Sequence, residues 1–134
     1  MDKTLIKAYQ TIKTIVQSGR IGIPQVCVCS VNDASGAFDE RAGFELSLMA
    51  ELLGNVRLDK EARVMEEKPY CHGFIAREYE NGAIARYTYI SAPTADHTAF
   101  TVYGTGGEIR YDTQTGKVVT FDLIPDHQGE TLTY

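Results

Sequence analysis

The chain has 134 residues, three cysteines and a formal net charge of −5. This length suits a single domain, 1–134, and the acidic charge excludes general nucleic-acid binding, which depends on a basic surface. No apolar run reaches the ~18 residues that a membrane span needs, and an odd number of cysteines cannot form a complete set of disulfides. We therefore expect a cytoplasmic protein with reduced thiols.

The first part of the chain predicts a helix followed by a strand. The helix begins after Asp2, which can act as its N-cap, and extends to about Ser18, with Gly19 just beyond its end. One side of this helix is apolar and is expected to pack on a sheet. Its side chains are Leu5, Tyr9, Ile12 and Val16, and their expected partners are Val102, Ile109, Val119 and Phe121. Residues 25–31 (QVCVCSV) are typical of a short buried strand.

Residues 38–68 predict further helical structure. Residues 38–53 fit a helix by length and by their Leu, Met, Ala and Glu content, although Phe44, Leu46 and Leu48 also alternate as in a strand. The charged residues 58–68 predict a short helix capped by Asp59. From residue 70 onward the composition changes to Val, Ile, Tyr, Phe and Thr, which favour strands.

Three turn signals organise the β-rich part. Asn81-Gly82 separates two runs at 70–79 and 83–90, and Gly106-Gly107 and the segment 112–116 divide residues 99–124 into three more. The sequence therefore predicts an α+β domain. In it, an N-terminal helix and a second helical segment pack on a four- to six-stranded antiparallel sheet.

Several residue groups resemble fragments of known sites. Cys27, Cys29, Cys71 and His72 could supply zinc ligands, but C-x-C is a poor ligand spacing, and neighbours in a strand point to opposite faces. Buried structural thiols are the favoured interpretation. The pairs Asp96-His97 and Asp126-His127 lie in polar loops without an identifiable pocket. The sequence thus predicts no catalytic residue and no metal site.

The glycine-rich segment 104–107 (GTGG) has the composition of a phosphate-binding loop. Such loops open a helix, whereas this segment lies between two predicted strands. We therefore expect no cofactor.

The predicted hairpins place arginine and tyrosine side chains opposite one another. With two-residue turns, Arg77 faces Arg86 and Tyr103 faces Arg110. These arginines either pair with neighbouring acids such as Glu108 or Asp112, or form a face that meets an anion or a partner protein.

The segment GGEIRYDTQTGKVV, at residues 106–119, is similar to the terminal hairpin of some immunity proteins of bacterial toxin systems. The leading helix and following sheet resemble small cystatin-like and NTF2-like α+β domains. The resemblance implies a non-enzymatic binding protein of bacterial or phage type, namely an immunity protein, antitoxin or inhibitor. The alternative is a small-molecule-binding protein or enzyme with a pocket in a cone-like curved sheet.

Residues 38–67 carry an excess of four negative charges, which would attract a basic protein partner. The predicted partner-binding residues are Asp39, Glu40, Glu66, Glu67, Arg77, Arg86, Tyr103 and Arg110. No nucleic-acid or membrane partner is predicted, and a homo-oligomer is left open.

Overall fold

The computed structural model describes residues 2–65, 71–91, 96–122 and 131–133. Within these ranges the chain forms two helices and eight strands. They are α1 (Lys3–Gln17), β1 (Pro24–Asn32), α2 (Phe38–Leu53), β2 (Val56–Met65), β3 (Cys71–Tyr79), β4 (Ile84–Ile90), β5 (His97–Gly104), β6 (Gly107–Asp112), β7 (Lys117–Asp122) and β8 (Thr131–Thr133). None of the described helices is both long enough and apolar enough to cross a membrane.

All described strands join one sheet in the order β2-β3-β4-β1-β5-β6-β7-β8. The central strand β1 pairs in parallel with β4 and antiparallel with β5. The other neighbouring strands pair antiparallel. Both helices contact one face of this sheet: α2 lies over β1, β3 and β4, and α1 contacts α2 and β7.

The predicted antiparallel sheet of four to six strands is wrong, because the sheet is mixed and larger. The central strand has no hairpin partner: α2, β2 and β3 intervene in the chain before β4 reaches the side of β1. A helical connection of this kind permits a parallel pairing, which a short turn cannot. Cys27 and Cys29 point to the face of β1 that α2 covers and are at most 1% exposed, whereas Val28 between them is 36% exposed on the other face.

The predicted helix at 58–68 is also wrong where the structure describes it, because residues 56–65 form strand β2. This strand pairs with β3 along its length and lies at one edge of the sheet. Charged side chains on both of its faces are a usual feature of edge strands, where they oppose pairing with another chain.

The sheet has one helix-covered face and one open face. The covered face contains the core, including Ile12, Tyr87, Phe100, Val102 and Ile109, all completely buried. The open face carries exposed apolar side chains on five strands: Val28, Leu58, Val64, Phe74, Ile84, Ile90 and Tyr103.

The predicted core is correct for Val102 and Ile109 but wrong for Val119 and Phe121. These two side chains share the open face with Arg110, whose guanidinium lies 5.2 Å from the centre of the Phe121 ring. The neighbouring positions Thr120 and Asp122 are buried instead. Asp122 is held there by Arg20, at 2.7 Å.

The β3–β4 hairpin differs from the predicted two-residue turn by one position. Glu78 pairs with Ile84, so Arg77 lies opposite Ala85, and Arg86 lies opposite Ala76. Because side chains alternate along a strand, this shift places Arg77 on the covered face and Arg86 on the open face. The expected contact between the two arginines is therefore wrong.

Candidate functional site

A cleft of about 470 Å³ lies between α2 and strands β2 and β3. We name it the α2–β2 cleft. Its apolar wall consists of Phe38, Ala42, Leu46 and Ile75, and its polar rim of Asp39, Asp59, Glu61, Arg63 and Arg77. This volume and this mixture of an apolar wall with a few polar groups are typical of small-molecule sites.

Ion pairs order the rim of the cleft. Arg63 lies 2.6 Å from Asp39 and 2.8 Å from Glu61, and Arg77 lies 3.2 Å from Asp59. Hydrogen bonds to Asp39 and Glu61 raise the pKa of the Arg63 guanidinium. The Asp39 pair connects α2 to β2, so it spans the mouth of the cleft.

The position of Phe38 depends on a glycine in β3. A Cβ atom added at Gly73 would lie 1.8 Å from the Phe38 ring, so only glycine leaves room for it. The Phe38 ring also packs edge-on against Tyr89, with 5.3 Å between the two ring centres. The guanidinium carbon of Arg63 lies 4.4 Å from the centre of the Phe38 ring, over its face. Phe38 thereby joins the core to the cleft.

A buried polar network holds α2 in place beneath the cleft. The Glu45 carboxylate, completely buried, accepts hydrogen bonds from Tyr9 and, at 2.9 Å, from Tyr87. The Cys29 thiol lies 3.3 Å from the same carboxylate, and Arg41 Nε lies 3.2 Å from it. One carboxylate thus connects α1, α2, β1 and β4.

The groups around Glu45 have strongly shifted acidities. Burial raises the pKa of the Tyr9 and Tyr87 phenols, and the negative charge of Glu45 raises it further. The same two causes raise the pKa of the Cys27 and Cys29 thiols. These thiols stay protonated at neutral pH and are poor nucleophiles, so the network is suited to positioning α2 rather than to thiol chemistry.

Comparison with known proteins gives similarity at the level of structure alone. No protein-family model matches the sequence, and no curated protein is detectably similar to it. An oxidoreductase from Agrobacterium radiobacter, solved with NAD+, L-tartaric acid and magnesium, matches 95% of this chain with a TM-score of 0.74 and 18% identity. These likenesses show the fold.

Two further solved structures are similar to nearly the whole chain. Levoglucosan dehydrogenase in complex with NADH and L-sorbose matches 95% of the chain with a TM-score of 0.70 and 12% identity. An oxidoreductase from Pseudomonas syringae matches 98% with a TM-score of 0.72 and 13% identity. The chain spans less than half of each of these three proteins, namely 42%, 45% and 38% of their lengths.

The expected resemblance to cystatin-like or NTF2-like domains and to immunity proteins is therefore wrong. The structural neighbours are oxidoreductases, several of them NAD-binding or solved with NAD+ or NADH, and not immunity proteins, antitoxins or inhibitors, so that interpretation is wrong as well. The segment that carried the resemblance, 106–119, forms only the β6–β7 hairpin. Such a hairpin is compatible with many folds, and so it was a weak guide.

The predicted partner-binding residues do not form one surface. Asp39 and Arg77 lie at the rim of the α2–β2 cleft, and Glu40 lies in the first turn of α2. Arg86, Tyr103 and Arg110 lie on the open face, where Arg110 pairs with Glu108 at 3.0 Å, one of the two predicted acids. Tyr103 lies directly opposite Glu108 rather than Arg110. Glu66 and Glu67 lie outside the described residues.

The other sequence candidates are separated in the structure. Cys27, Cys29 and Cys71 are free and buried, and the described residues contain no cluster of three or more metal-ligating side chains. His97 pairs with Asp112 on β6 at 2.9 Å. The pair Asp126-His127 falls outside the described residues.

Phe38, Glu61 and Arg63 line the cleft but were not predicted as site residues, and Asp59 was predicted as a helix cap. The missing signal was the alternation in residues 58–64: Leu58, Lys60, Ala62 and Val64 share one face, and Asp59, Glu61 and Arg63 share the other. Period-two alternation indicates a strand. Both faces of this strand carry charged residues, however, so the alternation is not visible in the hydropathy of the sequence.

Proposed function

We propose that this chain is the substrate-side domain of an oxidoreductase-type architecture, and that it binds a small polyhydroxylated molecule in the α2–β2 cleft. The observation that supports this most directly is the cleft itself, with its apolar wall and ordered carboxylate and guanidinium rim. Carboxylates accept hydrogen bonds from hydroxyl groups, and guanidinium groups donate to hydroxyl oxygens.

The charge of the rim favours a neutral ligand over a dianion. Three carboxylates and two guanidinium groups line the cleft, which leaves a net negative charge. A dicarboxylate would be repelled by this excess, whereas a sugar-like ligand would not. We therefore expect a compound such as L-sorbose, present in one structural neighbour, to bind in preference to L-tartrate, present in another.

The described residues do not fit a nicotinamide dinucleotide. The segment 104–107 forms the tight turn between antiparallel strands β5 and β6, so no helix begins there to receive a pyrophosphate. The first turn of α2 carries Asp39 and Glu40, which would repel a phosphate. In this proposal the dinucleotide is held by a separate unit, on the same polypeptide or on a partner protein.

Titration with L-sorbose and L-tartrate, followed by ¹H–¹⁵N NMR shifts, tests the ligand class. L-sorbose is expected to shift the amides of Gly43, Glu61 and Arg63, and Asp59→Asn is expected to weaken binding severalfold because it removes one acceptor and the partner of Arg77. Glu40→Gln is the matched control, since it removes a charge from α2 outside the cleft. The proposal would be contradicted if L-tartrate bound and L-sorbose did not, or if L-sorbose bound equally well to the Asp59→Asn variant.

A titration with NADH, followed by its fluorescence, tests the assignment of the dinucleotide to a separate unit. The isolated chain is expected to leave the emission unchanged. Saturable enhancement at micromolar NADH would show that the chain itself holds the dinucleotide, and that part of the proposal would then be withdrawn.

A further inference from the structure

Arg86 differs from the other arginines in the part of the chain that the structure describes. Each of the others forms an ion pair with a carboxylate, whereas Arg86 forms none there. The pairs are Arg20–Asp122, Arg41–Glu45, Arg57–Glu78, Arg63–Asp39, Arg77–Asp59 and Arg110–Glu108. Among the arginines that the structure describes, Arg86 is therefore the one whose charge is not already neutralised by a neighbouring carboxylate.

The direct cross-strand neighbours of Arg86 are apolar. Arg86 lies on the open face of β4, near the middle of the sheet, with Val28 beside it on β1 and Ala76 beside it on β3. Ile84, two positions away on the same strand, is 39% exposed. Arg86 itself is exposed, so its guanidinium is accessible to an anion from solution.

A second cation shares the same row of the open face. Lys60 on β2 pairs with Ala76, which in turn pairs with Arg86, so the small alanine side chain separates two long cationic ones. Strands lie about 4.8 Å apart, so the Cα atoms of Lys60 and Arg86 lie about 10 Å apart. Both side chains are long enough to reach one group placed above Ala76.

The space between them is a shallow pocket of about 280 Å³. Leu58 and Ile84 supply apolar lining on one side, and Ala76 lies between the two cations. Glu78 also lines the pocket, but it is already paired with Arg57. The charge facing an incoming group is therefore positive.

We propose that this pocket binds a carboxylate that carries a short apolar chain. The planar guanidinium of Arg86 can donate two parallel hydrogen bonds to the two carboxylate oxygens, and the Lys60 ammonium donates to one of them. The apolar chain lies over Leu58 and Ile84. This pocket is on the opposite face of the sheet from the α2–β2 cleft, so it does not rest on the function proposed above.

Hexanoate is a suitable probe, with hexan-1-ol as the neutral compound of the same length. Titration of the whole chain with hexanoate, followed by NMR, is expected to give saturable shifts at Ala76, Ile84 and Arg86, and hexan-1-ol is expected to give none. Arg86→Gln should weaken binding tenfold or more, since hydrogen bonds between charged partners carry that much affinity. Lys60→Gln should weaken it less.

Lys117→Gln is the matched control, because Lys117 lies on β7 of the same open face, remote from the pocket. It should leave the affinity for hexanoate unchanged. Equal shifts with hexan-1-ol, or hexanoate binding that persists in both Arg86→Gln and Lys60→Gln, would overturn the proposal. The proposal would also be overturned if the parent chain self-associated without hexanoate and Arg86→Gln abolished this self-association. That result would place Arg86 in a contact with a second copy of the chain.

Discussion

The Arg41 guanidinium lies 3.2 Å from the Glu45 carboxylate, one turn further along α2. Arg41 also donates a 2.9 Å hydrogen bond to Thr98 Oγ1 on β5 and lies 3.7 Å from Asp33 beyond the end of β1. Glu45 has no exposed surface, and the Arg41 side chain is only 15% exposed. Through Thr98, Tyr87 and Cys29, the two side chains connect α2 to strands β5, β4 and β1 of the sheet, and the width of the cleft depends on these connections.

Glu45→Gln is expected to lower the free energy of unfolding by about 3–5 kcal/mol, because it leaves the Arg41 charge buried without its main partner. Urea denaturation at neutral pH measures this. Glu51→Gln is the matched control: it removes the carboxylate that pairs with Lys13 at 2.9 Å between largely exposed side chains, and it should cost less than 1 kcal/mol. Equal losses in the two variants would show that Glu45 contributes no more than a surface charge.

Stability should fall in alkaline solution. Burial and Glu45 raise the folded-state pKa of Tyr9, Tyr87, Cys27 and Cys29, and burial beside Asp33 raises that of Tyr89 to about 12. In the unfolded chain these groups release protons near their ordinary pKa values, 9.0 for the thiol and 10.0 for the phenol. Above pH 9 the unfolded state therefore binds fewer protons than the folded state, so the free energy of unfolding falls as the pH rises further. Below about pH 8 these groups are protonated in both states, so their titration does not change the stability there.

Urea denaturation from pH 7 to pH 11 checks the alkaline prediction. Tyr87→Phe should be less stable than the parent at pH 7, because it loses its hydrogen bond to Glu45, yet its stability should fall less steeply above pH 9. A stability curve that is flat up to pH 11 would contradict the assignment.

Gly73→Ala tests how Phe38 is held in the cleft. The added methyl group would overlap the Phe38 ring, so the ring must move or the strand must shift, at a cost of about 1–3 kcal/mol. Gly43→Ala on α2 is the matched control, since its Cβ would meet nothing within 4 Å. Because alanine favours helix over glycine, Gly43→Ala should instead stabilise the protein by up to about 1 kcal/mol. Thermal unfolding of both variants gives the comparison, and a Gly73→Ala protein as stable as the parent would show that Phe38 moves freely.

Ile12→Ala should lower the free energy of unfolding by about 2–5 kcal/mol, because Ile12 is completely buried on the sheet side of α1. Ile6 lies six residues earlier on the same helix and is only half-buried. Ile6→Ala should therefore lower the free energy of unfolding clearly less than Ile12→Ala. Chemical denaturation of the two variants checks this. Similar small losses in both would mean that α1 packs loosely on the sheet.

Helix α1 could be predicted from the sequence because its signals are local: a cap at Asp2, apolar residues at helical spacing, and a stop at Gly19. Residues 38–53 fit a helix by length and composition but also alternate as in a strand, and the structure shows helix α2 there. The sheet could not be predicted in the same way, because the order of its strands depends on which strands from distant parts of the sequence lie beside β1. The faces of β7 were misassigned for a related reason. Its adjacent valines, Val118 and Val119, fit either alternation, and the buried Asp122 is explained only by Arg20, which lies far away in the sequence.

The candidate site was harder to predict than the fold. The residues of the α2–β2 cleft come from α2, β2 and β3, and residues 58–68 were predicted as helix, which would have removed the whole β2 wall. Arg86 was recognised as a candidate, but its separation from Arg77 depends on one residue in the β3–β4 turn. Neither composition nor spacing specifies that register, because Asn-Gly permits more than one hairpin geometry.

The central position of β1 has a consequence for how the chain folds. Cys27 pairs with Ala85 on one side and Val102 on the other, so the earliest strand in the sequence acquires both neighbours only from the second half of the chain. Closing such long loops is slow compared with forming hairpins. The β3–β4 and β5–β6 hairpins can therefore form first, as two separate ribbons, and the N-terminal segment then joins them into one sheet. Until that step, the backbone of β1 has no strand to pair with on either side, and a chain that ends before residue 97 would lack its pairing with β5.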